Sequence, residues 1–241
     1  REAWAENHLG DRDSLNLLGK QHALVEAVLA TGTPTVLILS NGRPLTLGNL
    51  YQDAPAIIEA WYLGQETGTA VANVLFGDVN PSGKLPVTFP MNEGEWPANT
   101  PMQYPGGEVN GRPTVTYSEG LNIGYRWYDA EQIKPRFPFG YGLSYTSFAL
   151  TNLAISPIVS DGTQPITLSL DEKNTGKLAG AEVVQVYGST RAMLNQPPKR
   201  LINFDKVMLQ PSERKTLTMT IKPLSASHPL GTWNVAKQQW V

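Results

Sequence analysis

The chain has 241 residues, long for one ordinary domain and comfortable for two. Apolar residues make up 41% and charged residues 17%, which excludes a disordered chain and allows a real core. A formal net charge of −2 leaves no basic field to hold nucleic acid or an anionic membrane surface, and zero cysteines exclude a disulfide scaffold, a thiolate metal site and cysteine catalysis. No run approaches the roughly 18–20 apolar residues of a membrane helix. The opening Arg1-Glu2-Ala3-Trp4 is neither a signal peptide nor a start with Met, so the sequence is expected to begin inside a longer one.

The first block is α/β in character. Leu15, Leu17, Leu18, Leu24, Val25, Val28 and Leu29 recur at roughly three- and four-residue spacing, which predicts a helix capped by Asp13 or Ser14 and ended by Gly32. Thr35–Ser40 is a nearly all-apolar run of the kind that forms a parallel strand buried on both faces. Ala56–Tyr62 reads as a second buried strand, and Ala70, Val71, Val74 and Leu75 mark a second helix ending at Gly77. This alternation predicts a largely parallel sheet covered by helices over residues 1–92.

Residues 93–146 are rich in Pro, Gly, Trp, Tyr and Phe, and read as an irregular linker of long shaped loops rather than tight hairpins. From 147 to 241 short alternating runs replace them: Phe148–Leu150, Ile166–Leu170, Glu182–Tyr187 and Thr216–Ile221. Turn signals at Asn174-Thr175-Gly176 and Gln210-Pro211-Ser212 separate these runs. Evenly spaced short strands predict an all-β sandwich.

Three segments carry a specific resemblance. They are Trp61–Gly68 running on through Leu75–Pro86 to Phe89-Pro90, then Tyr117–Asp129, then Pro138–Phe148. Their order and spacing resemble the C-terminal half of glycoside hydrolase family three. The final block, with Asn174-Thr175-Gly176 and Val183–Tyr187, is similar to the fibronectin-III/immunoglobulin-like sandwich appended to many members. The resemblance covers essentially the whole chain. It implies an α/β sandwich that should begin upstream of Arg1 and a β-sandwich whose last strand lies beyond the present end. It also implies a preceding N-terminal barrel that carries the nucleophilic Asp.

The implied activity is retaining hydrolysis of terminal β-D-glucosyl residues from oligosaccharides or aryl glucosides, without a metal or an organic cofactor. The enzyme is expected to be periplasmic or secreted, and the fragment alone inactive. Retention needs one carboxyl to attack and a second to act as acid and then base. The resemblance puts the acid/base on the loop Glu2–Arg12, with Glu6 first, Glu2 second and a glutamate upstream of Arg1 as the third option. Read without the family, both are solvated loop carboxylates. His8, Asp11 and Arg12 on that loop read as hydrogen-bonding and loop-holding residues.

Trp96 and Tyr104 are the candidate substrate-stacking rings, since a pyranose face is apolar enough to lie on a flat ring. Tyr125–Tyr128 read rather as packing. Asp78–Pro81 has the look of a ligand cluster but the composition of a turn. Glu66 is expected to accept hydrogen bonds near a helix start. A β-xylosidase or N-acetyl-β-glucosaminidase on the same scaffold stays open. So does a non-catalytic carbohydrate-binding or structural module. Loss of a domain interface would also favour association of copies into a homo-oligomer.

Overall fold

The computed structural model describes residues 14–189 and 196–240. Contacts divide the chain into two compact units, residues 1–78 with 85–141, and residues 79–84 with 142–241. The aromatic-rich segment falls mostly within the first.

In the first unit, helix α1 is Gln21–Leu29, strand β1 is Val36–Leu39, the single turn α2 is Leu50–Asp53 and strand β2 is Ala56–Glu59. A 3-10 turn at Gly64–Glu66 leads into α3, Thr67–Phe76; β3 is Gly107–Val109, β4 is Arg112–Thr114 and α4 is Tyr125–Ala130. Val25 and Leu29, one helical turn apart on α1, pack on a core of Leu39, Leu45, Leu47, Leu50, Tyr51 and Phe89. The helix starts later than the apolar spacing predicts. Lys20 precedes it without a side-chain cap, while Ser14 bonds locally instead, its Oγ accepting the N–H of Asn16 at 3.0 Å. Asp13 lies outside the described residues.

β1 and β2 pair in parallel, Val36 opposite Ala56 and Leu39 opposite Glu59. Among the described residues the named ladders other than this one are antiparallel, so the largely parallel sheet is seen as this pair and an isolated parallel bridge between Asn16 and Thr46. Nor is β1 buried on both faces. Leu37 and Leu39 face the core, but Val36 and Ile38, on the alternate face, are 42% and 37% exposed. The predicted strand to Tyr62 stops at Glu59, because Trp61 turns to φ +52°. This is costly for a bulky residue and is held by two bonds: Ser40 Oγ donates to the Trp61 carbonyl at 3.1 Å, and the Trp61 N–H donates to Glu59 Oε1 at 3.0 Å.

The linker contains a tight hairpin that composition alone argued against. β3 and β4 are joined by Asn110-Gly111, both at positive φ, the sequence and geometry of a two-residue hairpin turn.

The second unit is a β-sandwich. Strands β5 (Phe148–Ser156), β6 (Ile166–Asn174) and β9 (Arg214–Ile221) form one sheet in the order β5-β6-β9. Strands β7 (Gly180–Gly188) and β8 (Arg200–Leu209) form another. A small hairpin, β10 (Trp233–Asn234) with β11 (Gln239–Trp240), follows. Leu168, Leu170, Val184, Leu217, Met219 and Ile221 make the core, at the alternate positions that point inward. Asn174 ends β6 fully buried with all four amide bonds made. Thr146 Oγ1 and the Gly176 N–H donate to Oδ1 at 2.8 and 3.0 Å, and Nδ2 donates to the Leu178 and Leu209 carbonyls at 2.7 and 3.2 Å.

Candidate functional site

Residues 86–139 of the first unit enclose most of a cavity of about 480 Å³. Its lining draws on Leu15 and Pro44, on Pro86–Thr88 and Pro90, on Trp96-Pro97, and on Ile123–Arg126 with Tyr128 and Phe139. Polar side chains fix the loops that form it. Glu93 accepts the Leu15 N–H at 3.0 Å and the Thr46 hydroxyl at 3.1 Å. Buried Gln103 donates to the Pro97 carbonyl at 3.1 Å and to Glu119 at 2.9 Å. The buried Tyr128 hydroxyl donates to the Glu95 carbonyl, and burial first, then the charge of Glu95, pushes that phenol up to about 12.

α4 can start where it does because Gly124 stands at φ +55° and ψ −136°, a conformation essentially reserved for glycine. The start of α4 then presents the cavity's aromatic wall. The Tyr125 ring stacks on Phe139 at 4.8 Å and 24°, and the Arg126 guanidinium lies 5.7 Å from the Tyr125 centroid. Arg126 Nε is buried with no hydrogen-bond partner among the described residues. The arrangement offers flat apolar rings beside a cationic donor, which suits a polyhydroxylated ring with one apolar face.

Trp96 lines this cavity, its indole N–H turned to the Ala98 carbonyl at 3.0 Å. Tyr104 is not among the lining residues and is 45% exposed on the turn before β3, so the structure does not bring the two rings together. Tyr125 lines the cavity and Tyr128 is buried behind it, whereas Tyr117 is 80% exposed. Glu2 and Glu6, with His8, Asp11 and Arg12, lie outside the described residues.

The turn Asp78–Pro81 serves packing of the second unit. Asn80 Oδ1 accepts the Ser144 hydroxyl at 2.9 Å and the Tyr145 N–H at 2.8 Å, and its Nδ2 donates to the Ala179 carbonyl at 2.9 Å. Among the described residues no three His, Cys, Asp or Glu side chains are grouped as metal ligands. Glu66 precedes α3 without a capping bond, contrary to expectation; Thr67 Oγ1 instead donates to the Gly64 carbonyl at 2.7 Å. No described helix is long and apolar enough to cross a membrane.

Sequence reasoning missed one titratable group in this unit. Glu59, at the carboxyl end of β2, is held at about 7: burial raises it, and bonds from the Trp61 N–H and the Asn41 side chain pull back. Its Oε2 has no hydrogen-bond partner among the described residues. Tyr51 nearby donates to the Leu45 carbonyl at 2.6 Å, and its phenol is raised by burial and by Glu59, with Arg136 opposing.

Residues 1–145 match the glycosyl hydrolase family 3 C-terminal domain, and residues 182–241 match the fibronectin type III-like domain. The chain belongs to glycosyl hydrolase family 3. It is 39% identical over 217 residues to β-glucosidase BoGH3A of Bacteroides ovatus, covering 89% of this chain and 28% of the relative. It is 41% identical over 211 residues to the periplasmic β-glucosidase of Salmonella typhimurium, covering 87% of this chain and 27% of the relative.

Among solved structures, DesR, a β-glucosidase from Streptomyces venezuelae in complex with D-glucose, superposes with a TM-score of 0.85 at 36% identity, over 96% of this chain and 28% of DesR. The β-glucosidase of Kluyveromyces marxianus gives 0.83 at 38% identity, over 96% of this chain and 26% of its own. The chain therefore spans little more than a quarter of the length of these relatives.

Proposed function

We propose that this chain is the C-terminal part of an exo-acting, retaining β-glucosidase and supplies the acid/base side of its site. The observation that carries the reading is identity of 39–41% to β-glucosidases over nearly nine-tenths of the chain. Glu6, with Glu2 as the alternative, protonates the leaving oxygen and then activates water. The nucleophilic Asp stands on an N-terminal barrel, and the two carboxyls come about 5–5.5 Å apart when retention is the outcome. A glutamate in this role begins the cycle protonated, which burial or the nearby nucleophile supports. Trp96 contributes a ring to the substrate wall, and Tyr104 a second, more peripheral one. The substrate is a β-glucoside or oligosaccharide, and the enzyme acts in the periplasm or outside the cell.

The test compares hydrolysis of an aryl β-D-glucoside by this chain alone and by the chain joined to its upstream sequence. Turnover is expected only from the longer protein, and there Glu6→Gln lowers kcat by about 10²–10⁴-fold. Full activity of the short chain would overturn the split-site reading. No turnover of any β-glycoside by either protein, together with measurable cellobiose binding by the short chain, would replace it with a binding module.

A further inference from the structure

The inward face of β6 runs Leu168, Leu170, Glu172, Asn174, each of them buried. Three of these side chains suit that position. Leu168 and Leu170 join the core, and Asn174 makes its full set of bonds. Glu172 is 0% exposed, and neither carboxyl oxygen has a hydrogen-bond partner among the described residues. An ionised carboxylate in that position would be desolvated and unbonded, which a folded domain does not tolerate without neutralising it.

The surroundings make ionisation harder still. From β7, Glu182 presents a carboxylate, and from β8, Asp205 presents another. On β5 the residue opposite Glu172 is Leu150, which carries no charge. On β9 the residue opposite is Lys215, a cation that opposes the two acids. Lys215 is turned elsewhere: its Nζ donates to the Met208 carbonyl at 2.8 Å and pairs with Glu213 at 3.4 Å. The cation nearest Glu182, Lys84, is likewise engaged, 2.6 Å from Glu182 Oε1 and donating to the Gly142 carbonyl at 2.7 Å.

We infer that the fibronectin-III-like sandwich is locked by a proton on Glu172, buried with both oxygens unbonded among the described residues, and that release of this one proton loosens the unit. Burial first, then Glu182 and Asp205, push the Glu172 carboxyl up to about 7, against a value of 4.5 for the free side chain. Between these values the folded sandwich holds a proton that the unfolded chain has lost. Its stability therefore falls as pH rises through that window, and is flat below it and above it.

The test is calorimetry of the full chain at a series of pH values from about 5 to about 8, comparing the native protein with Glu172→Gln and Asp205→Asn. The native midpoint for the β-sandwich transition is expected to drop by on the order of 5–10 °C across the series. Glu172→Gln removes that drop. Asp205→Asn, an exposed change that takes away one repelling charge, moves the steep part of the profile to lower pH. Equal pH slopes in the native protein and Glu172→Gln would overturn the inference. If Glu172→Gln does not fold, an Asp205→Asn profile that superposes on the native one overturns it by itself.

Discussion

Among the described residues each unit holds a carboxyl that burial raises to about 7, but the neighbours act on the two in opposite directions. Glu59, in the α/β unit, is raised by burial and lowered again by hydrogen bonds from the Trp61 backbone and the Asn41 amide. Glu172, in the β-sandwich, is raised by burial and raised further by Glu182 and Asp205, with Lys215 opposing. The first group is partly solvated by the protein in place of water. The second is left bare among like charges. A shared pKa thus hides two environments, and only the neighbours reveal which is which.

The largest effects expected would separate the two cores. Leu47→Ala and Leu209→Ala each empty a fully buried position, the first in the α/β unit and the second on β8. Each should cost about 3 kcal/mol, and calorimetry should assign the loss to its own unit. If both lower one common transition, the units melt as one body.

Next comes the pH dependence. Glu59→Gln should narrow the stability difference between about pH 5 and about pH 8 by on the order of 2 kcal/mol in the α/β unit, leaving the profile of the β-sandwich unchanged. The sign follows from the raised value: native Glu59 favours the protonated form, so the native α/β unit loses stability as pH rises from 4.5 towards 7.

A smaller effect distinguishes the two causes directly. Asn41→Ala removes a bond that lowers Glu59, and should raise its titration midpoint by about half a unit to one unit; Asp205→Asn should lower that of Glu172 by a similar amount. Carbon NMR of the glutamate carboxyls reads both, and shifts of the same sign would break the contrast. The smallest effect is at Arg214, whose contact with Asp171 is 4.0 Å long and more than half exposed on the arginine side. Arg214→Ala should leave the melting midpoint unchanged within error.

These differences bear on what could be read from the chain beforehand. β6, β7 and β9 were legible because their inward positions are regularly apolar over several residues. β8 was missed because Arg200–Leu209 is half-exposed along most of its length and its sequence does not alternate cleanly. Glu172 sat at the right parity to be found: continuing the inward series of Leu168 and Leu170 lands on it, but a charged residue ends an apolar pattern for anyone counting apolar residues. The Asn110-Gly111 turn was also in plain view and was masked by the proline and glycine around it.

The core of the α/β unit was less legible. Leu45, Leu47, Leu50 and Phe89 stand in loops and a single helical turn, where no period announces burial. At the candidate site, Trp96 stands out by its chemistry and lines a cavity. Tyr125 reads as packing in the sequence, yet it lines the same cavity while stacked on Phe139.

The short stretch from Val79 to Lys84 belongs with the β-sandwich although it lies between two pieces of the α/β unit. Asn80 ties Ser144, Tyr145 and Ala179, and Lys84 holds Glu182 and the Gly142 carbonyl. A sandwich excised as a single length of sequence from residue 142 onward would forfeit all of these bonds and leave Glu182 without its counter-ion. Swapping this domain between relatives is therefore a two-fragment graft, with a six-residue strap that has to travel along with the main piece.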